Sequence, residues 1–278
     1  MTLVATWYAL EKGVQPSIWS IADTKISNGA TALTLEGAKI FELQVACKNL
    51  SSNWGAVEYR TSLGFSYAGS SLVGLNTYAM LSSVLTNLAA GGGHRDRPDH
   101  KSIIDTCLRI LKLYTYSIRG LAEISIWGFC PKLGVPFIGT IKGRNNENMI
   151  EYNVDIINSF DGVLSFALMG SHVDAIKSDI EALSASINDK TDIRYWRAPI
   201  TVLNNLIKEN CYPEIGGNIQ MAIIGQSYGF RYQGIINDIQ NIRDGQYRNV
   251  NLKDLIGTSV GDCLVAIPLL VIGDMFPS

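Results

Sequence analysis

The amino-acid sequence predicts an α+β fold in which two β-sheets are each covered by a pair of helices. Runs of apolar, β-branched and aromatic residues, typical of strands, occupy both ends and the middle of the chain. Two pairs of segments with helical spacing of apolar residues separate these runs. Strands and helices do not alternate one by one, as they would in a parallel βαβ sheet. Two sheets with helices on them are then the simplest layered packing.

The first half of the chain accounts for two strand pairs and the first helix pair. The strand pairs are separated by the turn-like stretches "EKGVQP" and "KNLSSNWG". The predicted strands are residues 2–10, 17–27, 38–46 and 60–69. The first helix is predicted to stop at "GGG", a signal for the end of a helix. The second has an apolar stripe that includes Ile104, Cys107 and Leu111. The predicted helices are residues 71–90 and 101–118.

The second half repeats the order of strands followed by helices. The predicted strands are residues 122–130, 135–143, 148–154, 162–170 and 218–225. The predicted helices, which precede the last of these strands, are residues 171–187 and 198–210. No low-complexity linker marks a boundary, so residues 2–278 are predicted to form a single domain, with a C-terminal extension from about residue 233 that the fold does not need.

Composition limits the partners that we expect. Hydrophobic residues make up 47% and charged residues 17% of the chain, and the net charge is −2. This balance argues against a nucleic-acid partner, which requires a basic face. Apolar runs are too short to span a bilayer and the N-terminus lacks a signal sequence, so we expect a cytoplasmic protein without membrane contact. The apolar composition predicts faces that are covered by other copies of the chain. The five cysteines have no paired spacing, which favours reduced thiols.

The residue behind Met1 is a threonine. If Met1 is removed, Thr2 carries a hydroxyl nucleophile and an amine base on one residue, an arrangement that one class of hydrolases uses. Many chains that begin with Met-Thr make no use of it, so the remaining motifs have to decide.

Four further stretches follow Thr2 in an order that resembles one family. "IADTKIS" contains Asp23, "GAKIFEL" contains Lys39, "SYAGSS" contains Gly69, and "ALMGSHVDAI" contains Ser171. Over roughly residues 2–226, these motifs and the element order resemble the β-type subunits of the 20S proteasome and their HslV-like and ancestral-β-subunit-like bacterial relatives.

The resemblance implies a four-layer αββα sandwich of the N-terminal nucleophile (Ntn) hydrolase class. It implies a threonine-type endopeptidase that cleaves peptides or unfolded proteins inside a homo-oligomeric ring, with a partner ATPase left open, and without cofactor or metal. Thr2 corresponds to the nucleophile, Asp23 and Lys39 to the acid and lysine beside it, Gly69 to the oxyanion-hole glycine, and Ser171 to the serine near the N-terminal amine. A lysine charge there would lower the pKa of the amine, so that it accepts the hydroxyl proton.

Each motif alone has an ordinary structural interpretation. Asp23 could be a turn residue, Lys39 a solvated residue at a strand edge, and Gly69 a glycine that starts a helix capped by Ser70. Two alternative functions also stay open. One is a catalytically inactive structural subunit of the same fold, and the other is an Ntn hydrolase for a small amide.

The sequence departs from the family pattern before the strand at residues 218–225. Most active members have an aspartate and a serine there, whereas this chain has Tyr212 and Ile215 at roughly those places. Glu214 is a substitute acid with a shifted spacing, and His172 is interpreted as a local polar residue rather than a general base.

The stretch "GGGHRDRPDH" brings histidines and aspartates together between the first two helices. A metal site is conceivable there, but mixed charges between two helices favour a solvated loop, and no metal is predicted. The residues concerned are His94, Asp96, Asp99 and His100.

Overall fold

A computed structural model describes most of the chain. The described residues are 2–28, 31–49, 56–90, 97–146, 149–236, 245–247, 250–255, 258–260, 263–264 and 266–271. Met1, His94 and Asp96 lie outside them, and so does much of the predicted C-terminal extension. Within these ranges the mixed α/β fold with four helices is confirmed, in the predicted order of strands, two helices, strands, two helices and strands, except that a short strand at Leu88–Ala90 separates the first two helices.

The strands of the described ranges are β1 Leu3–Ala9, β2 Ser17–Asp23, β3 Ile26–Asn28, β4 Thr31–Thr34, β5 Ile40–Asn49, β6 Val57–Gly69, β7 Leu88–Ala90, β8 Ala122–Phe129, β9 Pro136–Asn146, β10 Met149–Ile157, β11 Phe166–Gly170, β12 Ile219–Gly225, β13 Gly229–Ile236, β14 Gln246–Tyr247, β15 Val250–Asn251, β16 Ser259–Val260, β17 Cys263–Leu264 and β18 Leu269–Val271. The helices are α1 Ser71–Leu85, α2 His100–Ile118, α3 Val173–Ala185 and α4 Ile193–Lys208.

The chain divides into two compact units. The first comprises Met1–Ile40, Asp161–Ile223 and Arg231–Ser278, and the second comprises Phe41–Phe160 and Ile224–Phe230. The prediction of a single domain over residues 2–278 stays a prediction.

The first unit is built around the predicted N-terminal hairpin. β1 lies between β11 and β2, and the sheet continues through β12, β13, β14 and β15. The hairpin register places Trp7 opposite Trp19, and their rings pack 5.7 Å apart in the core. α4 contributes a broad apolar face to the same core, including Tyr195, Trp196 and Leu203. Burial of this face stabilises the first unit.

The second unit is a sheet with α1 and α2 packed on it. The strand order is β10-β9-β8-β6-β5-β7, so the predicted β5–β6 pair is confirmed. The hydroxyl of Ser70 caps α1 by accepting from the Val73 amide, and the carboxylate of Asp99 caps α2 by accepting from the Ser102 amide. Ile104, Cys107 and Leu111 of the predicted stripe are buried in this core.

Two predicted helix boundaries were wrong. α1 ends at Leu85 rather than at residue 90, because the Thr86 amide and hydroxyl both donate to the Ser82 carbonyl and close the helix. The following residues form β7, which pairs in parallel with β5. α4 begins at Ile193 rather than at residue 198, so Pro199 lies inside the helix. Asp192 caps this earlier start, and burial of Tyr195 and Trp196 stabilises the additional turn.

Candidate active site

The candidate site is centred on Asp23, the last residue of β2. Its side chain is fully buried, and four donors surround its carboxylate. The Lys39 ammonium and the Leu3 amide each donate to Oδ1 at 2.9 Å. The amides of Gly216 and Lys25 donate to Oδ2 at 3.1 and 3.3 Å. A carboxylate that only accepts hydrogen bonds is in its ionised form, so this geometry favours a negative Asp23.

Lys39 is as deeply buried as its partner, with 1% of its side chain exposed. Its ammonium also donates to the Lys25 carbonyl at 2.6 Å. Burial lowers the pKa of Lys39, while the negative charge of Asp23 opposes this change. Burial likewise raises the pKa of Asp23, against the Lys39 charge and the backbone donors. The interpretation of Lys39 as a solvated edge residue is therefore wrong, and Asp23 is a buried residue at the end of β2 rather than a turn residue after the strand.

Backbone hydrogen bonds of Thr2 and of the next residue hold Thr2 near this ion pair. It immediately precedes β1 and is buried, and its carbonyl accepts from the Ser171 amide at 3.0 Å. The next amide along the chain, that of Leu3, is the one that donates to Asp23. The Leu3 amide and the Lys39 ammonium therefore share one carboxylate oxygen, which places the lysine charge close to the start of β1.

Gly170 permits this arrangement. It ends β11 opposite Leu3, has φ +107°, and a Cβ added there would overlap the Thr2 carbonyl oxygen. Only glycine combines this backbone conformation with so close an approach. The chain start is thus seated on a glycine, with Ser171 directly after it.

Ser171, next to Thr2, has a buried hydroxyl without a hydrogen-bond partner within the described residues. Oε2 of Glu214 is also buried, and it is paired with His172. Glu214 Oε2 lies 3.5 Å from Nε2 of His172, whose ring stacks on Tyr212 with centroids 3.9 Å apart. A hydrogen bond from its own backbone amide is the main cause that lowers the pKa of the Glu214 carboxyl, and the neighbouring His172 lowers this pKa further. Tyr212 therefore packs on a histidine here.

The structure brings four of the five predicted site residues together in the first unit: Thr2, Asp23, Lys39 and Ser171. Gly69 belongs to the second unit, where it ends β6 with φ +92°, and a Cβ there would approach the Leu121 carbonyl oxygen to 2.7 Å. Ser70 caps α1 directly after it, as one of the ordinary interpretations expected. The oxyanion role of Gly69 stays a prediction.

Sequence reasoning missed Gln220, whose side chain contacts the backbone of both Asp23 and Lys39. The one available signal was a long amide inside the otherwise apolar strand stretch "NIQMAIIG". A buried polar residue in such a run needs partners, but the sequence does not say which they are.

Comparison with known proteins places this geometry on a known fold. No protein family and no curated protein matches the chain. Among solved structures, it is similar to a Gly-1 mutant of Anbu from Hyphomicrobium sp. strain MC1, with a TM-score of 0.53 at 9% identity over 83% of this chain and 85% of that one. It is also similar to Anbu, the ancestral beta-subunit, from Yersinia bercovieri, with a TM-score of 0.51 at 7% identity over the same shares.

The chain has a proteasome-like fold. At such low identity the Anbu structures show the fold alone. The resemblance in the sequence and the Anbu-like fold therefore agree, while the roles of individual residues have to be argued from the site.

Two kinds of feature are absent from the described ranges. No cluster of three or more histidine, cysteine, aspartate or glutamate side chains suited to a metal ion occurs in them. None of their helices combines the length and the apolar composition that crossing a bilayer requires.

Proposed function

We propose that this chain is a hydrolase that uses Thr2 as an N-terminal nucleophile, and that its substrates are peptide bonds. The observation that carries the proposal is the buried Asp23–Lys39 pair. The Asp23 carboxylate accepts a hydrogen bond from the amide of Leu3, the residue after Thr2. Removing two charges from water costs several kcal/mol each. Titratable groups whose pKa is perturbed by burial and by a specific charge partner cluster at functional sites, and this pair lies at the end of β2 near Thr2.

In the proposed reaction, Thr2 Oγ attacks the scissile carbonyl and its proton passes to the α-amine of the same residue. An α-amine has a pKa of about 7.7–8 in model peptides, so a neutral fraction exists near neutral pH. The positive charge of Lys39 lowers this pKa further and stabilises a developing alkoxide. Asp23 holds Lys39 in place, and the protonated amine then donates its proton to the leaving nitrogen as the C–N bond breaks. Water, deprotonated by the same amine, then cleaves the ester left on Thr2 Oγ, which releases the acid and restores the hydroxyl.

The buried Ser171 hydroxyl supports a role next to the amine. Ser171 is fixed to Thr2 through its amide, and its Oγ lacks a partner in the described part of the chain. A free α-amine would supply a donor at this end of β1, as the resemblance implies.

A second candidate function, an inactive structural subunit of the same fold, is favoured by one observation. Tyr212 and Ile215 replace the aspartate and serine of most active members, and Ile215 is buried in the core. The hydrolase proposal assigns no role to either residue.

The hydrolase proposal also includes assembly and partners. We propose that the chain forms a self-assembled ring in the cytoplasm, which would enclose the active sites, and that an ATPase delivers substrates to it.

The test needs no knowledge of the preferred peptide. The cell-made protein is treated with a β-lactone, which acylates an activated hydroxyl, and intact mass is followed by peptide mapping. We expect a mass without Met1 and one acyl group on Thr2. Thr2→Ala should lose the adduct and lower peptide-reporter hydrolysis by about 10³-fold or more, while Thr2→Ser keeps both. A retained Met1, or full labelling of Thr2→Ala, contradicts the mechanism.

A further inference from the structure

Gln220 lies in the centre of β12 with 1% of its surface exposed. Its carboxamide oxygen accepts from the Lys39 amide at 2.8 Å and from the Ile40 amide at 3.1 Å. Its amide nitrogen donates to the Gly37 carbonyl at 3.0 Å and to the Asp23 carbonyl at 3.3 Å. One side chain thus bonds to the backbone on both sides of the Lys39 side chain and to the backbone of its ion-pair partner.

These four bonds use the full capacity of a carboxamide, which has two donor hydrogens and two acceptor lone pairs. A buried polar network in which every member is satisfied is rigid, whereas one that is partly satisfied is costly. Residues 35–39 lie outside the regular strands, and the Gly37 amide donates to the Thr24 carbonyl at 2.7 Å. Gln220 is the side chain that bonds to the Lys39 amide itself, so the position of the Lys39 backbone depends on a side chain from β12.

We propose that Gln220 is a positioning residue that sets the distance and direction of the Lys39 ammonium relative to Asp23 and the start of β1. This inference rests on the proposed function for its catalytic consequence. Gln220 contacts backbone atoms of the ion-pair residues, and it acts on the reaction only through them.

The physical reason is that the Lys39 ammonium has to meet two acceptors at once, Asp23 Oδ1 and the Lys25 carbonyl. Both acceptors are fixed by the end of β2. The lysine backbone has to be fixed with the same accuracy, since a misplacement of about 1 Å at a catalytic group costs roughly 10²-fold in rate. Gln220 connects the two backbone segments directly.

The experiment compares Gln220→Met, which keeps the length of the side chain and removes all four bonds, with Gln233→Met as the matched control. Gln233 is a buried glutamine of the neighbouring strand β13. The first readout is the rate of lysine acylation by a small anhydride, followed by peptide mass spectrometry. The exposed Lys177 on α3 serves as the internal reference.

We expect Lys39 in the wild type to react at least about 10-fold more slowly than Lys177, because burial and its two bonds protect it. Gln220→Met should remove most of this difference, and Gln233→Met should leave it intact. The second readout is peptide hydrolysis, in which Gln220→Met should lower kcat by about 10²-fold with little change in KM. The acid limb of its pH–rate profile should shift to higher pH, because the lysine charge is then less well placed to lower the pKa of the Thr2 amine.

Each outcome of this experiment either supports or overturns the inference about Gln220. Unchanged acylation of Lys39 and unchanged kcat in a folded Gln220→Met protein overturn the inference. Faster acylation of Lys39 together with an inactive wild type supports the positioning of Lys39 and refutes the proposed function instead. Where Gln220→Met does not fold, Gln220→Glu replaces it: this variant keeps the acceptor for the Lys39 and Ile40 amides, loses the donors to Asp23 and Gly37, and should give an intermediate Lys39 acylation rate. A wild-type rate for Gln220→Glu likewise overturns the inference.

Discussion

At the scale of single residues, Lys39 is the most informative side chain of the molecule. A lysine with almost no solvent contact is stable only when paired and hydrogen-bonded. Lys39 meets both conditions through Asp23 and the Lys25 carbonyl. Replacing such a pair by apolar residues is often neutral for stability, which suggests that function rather than folding maintains it.

Lys39→Ala should shift the acid limb of the pH–rate profile upward by about one pH unit and lower the rate by about 10²-fold. The reason is that the Thr2 amine loses a nearby positive charge, so its pKa rises and a higher pH is needed to deprotonate it. The measurement is kcat/KM for a peptide reporter between pH 6 and pH 10. An unshifted profile in an otherwise active protein contradicts the role of Lys39.

Because Lys39→Ala leaves Asp23 buried without its cation, it should also cost about 3–5 kcal/mol in the free energy of unfolding. The control is the double variant Lys39→Met with Asp23→Asn. We expect it to recover most of this stability, since no charge stays buried, and to remain inactive. Recovery of activity together with stability would show that the charge itself is dispensable.

The sequence contained the identities of the candidate site residues but not their burial. Short motifs identified Asp23, Lys39 and Ser171, because a residue next to a strand end can be recognised from the few residues around it. That Lys39 is fully buried follows from segments distant in the sequence, including the loop at Gly216 and the strand with Gln220. No local pattern records contacts between residues more than 180 positions apart, so Gln220 was missed.

At the scale of elements, the junction of β11 with β1 places Thr2. Gly170→Ala should displace the Thr2 carbonyl, since the new Cβ would overlap its oxygen and the residue would keep a left-handed φ. We expect a loss of about 1–3 kcal/mol from the conformation alone, more from the overlap, and loss of Thr2 acylation. Urea denaturation and β-lactone labelling measure the two effects.

The matched control for Gly170 is Gly162 in the same unit, which has φ +69° and open space where a Cβ would stand. Gly162→Ala should show only the conformational cost and label normally at Thr2. Equal losses of stability and labelling in the two variants would refute the idea that Gly170 serves the approach of Thr2.

A second element-scale prediction concerns the first residue of α2. His100 is buried and stacks on Phe137 with ring centroids 5.0 Å apart, and neither of its nitrogens has a partner within the described residues. Burial lowers the pKa of His100 from its usual 6.5; Asp99 opposes this change and Lys101 adds to it. The unfolded chain then binds the proton more readily, so stability is retained above pH 6.5 and is lost as the pH falls below it.

The measurement for His100 is the urea midpoint between pH 7.5 and pH 5. His100→Phe keeps the aromatic contact with Phe137 and removes the titrating group, so the midpoint should fall less steeply with acid than in the wild type. If wild type and variant lose stability in parallel, His100 does not contribute to the pH dependence.

Helices and strands were predictable to the extent that local chemistry defines them. Apolar residues recur at fixed spacings in α2 and in the N-terminal hairpin, and both elements are confirmed. β7 was predicted as helix because Leu88, Ala89 and Ala90 suit either state. Its conformation is decided by pairing with β5, far away in the sequence. In the same way, burial of Tyr195 and Trp196 extends α4 to the N-terminal side of the predicted start at residue 198.

At the scale of the whole molecule, exposed apolar side chains predict self-association. α1 exposes Leu72 and Leu75, and α2 exposes Leu113 and Tyr116, the last of them to 89%. In each helix the two residues are three positions apart and so lie on one face. Apolar surfaces of this kind mark contacts with other molecules.

We therefore expect light scattering at micromolar concentration to give a mass that is a multiple of 30.4 kDa. The double variant Leu113→Glu with Tyr116→Glu should lower this mass, because charges at a buried contact are unfavourable. Lys101→Glu, an exposed change in the same helix, is the control and should leave the mass unaltered. A wild-type protein that stays monomeric would argue against the ring.

The burial of Thr2 also limits when the chain can be processed. The start of β1 is enclosed by pairing with β11, which ends at Gly170, so this pairing has to wait until the ribosome has made about 170 residues. At about 5–20 residues per second, that delay is on the order of 10–30 s. Under the proposed function, we expect an external aminopeptidase to act on the Met1–Thr2 bond most readily during this interval, before Thr2 is buried. A chain that is made without that enzyme and refolds rapidly should therefore keep Met1 on the proposed nucleophile.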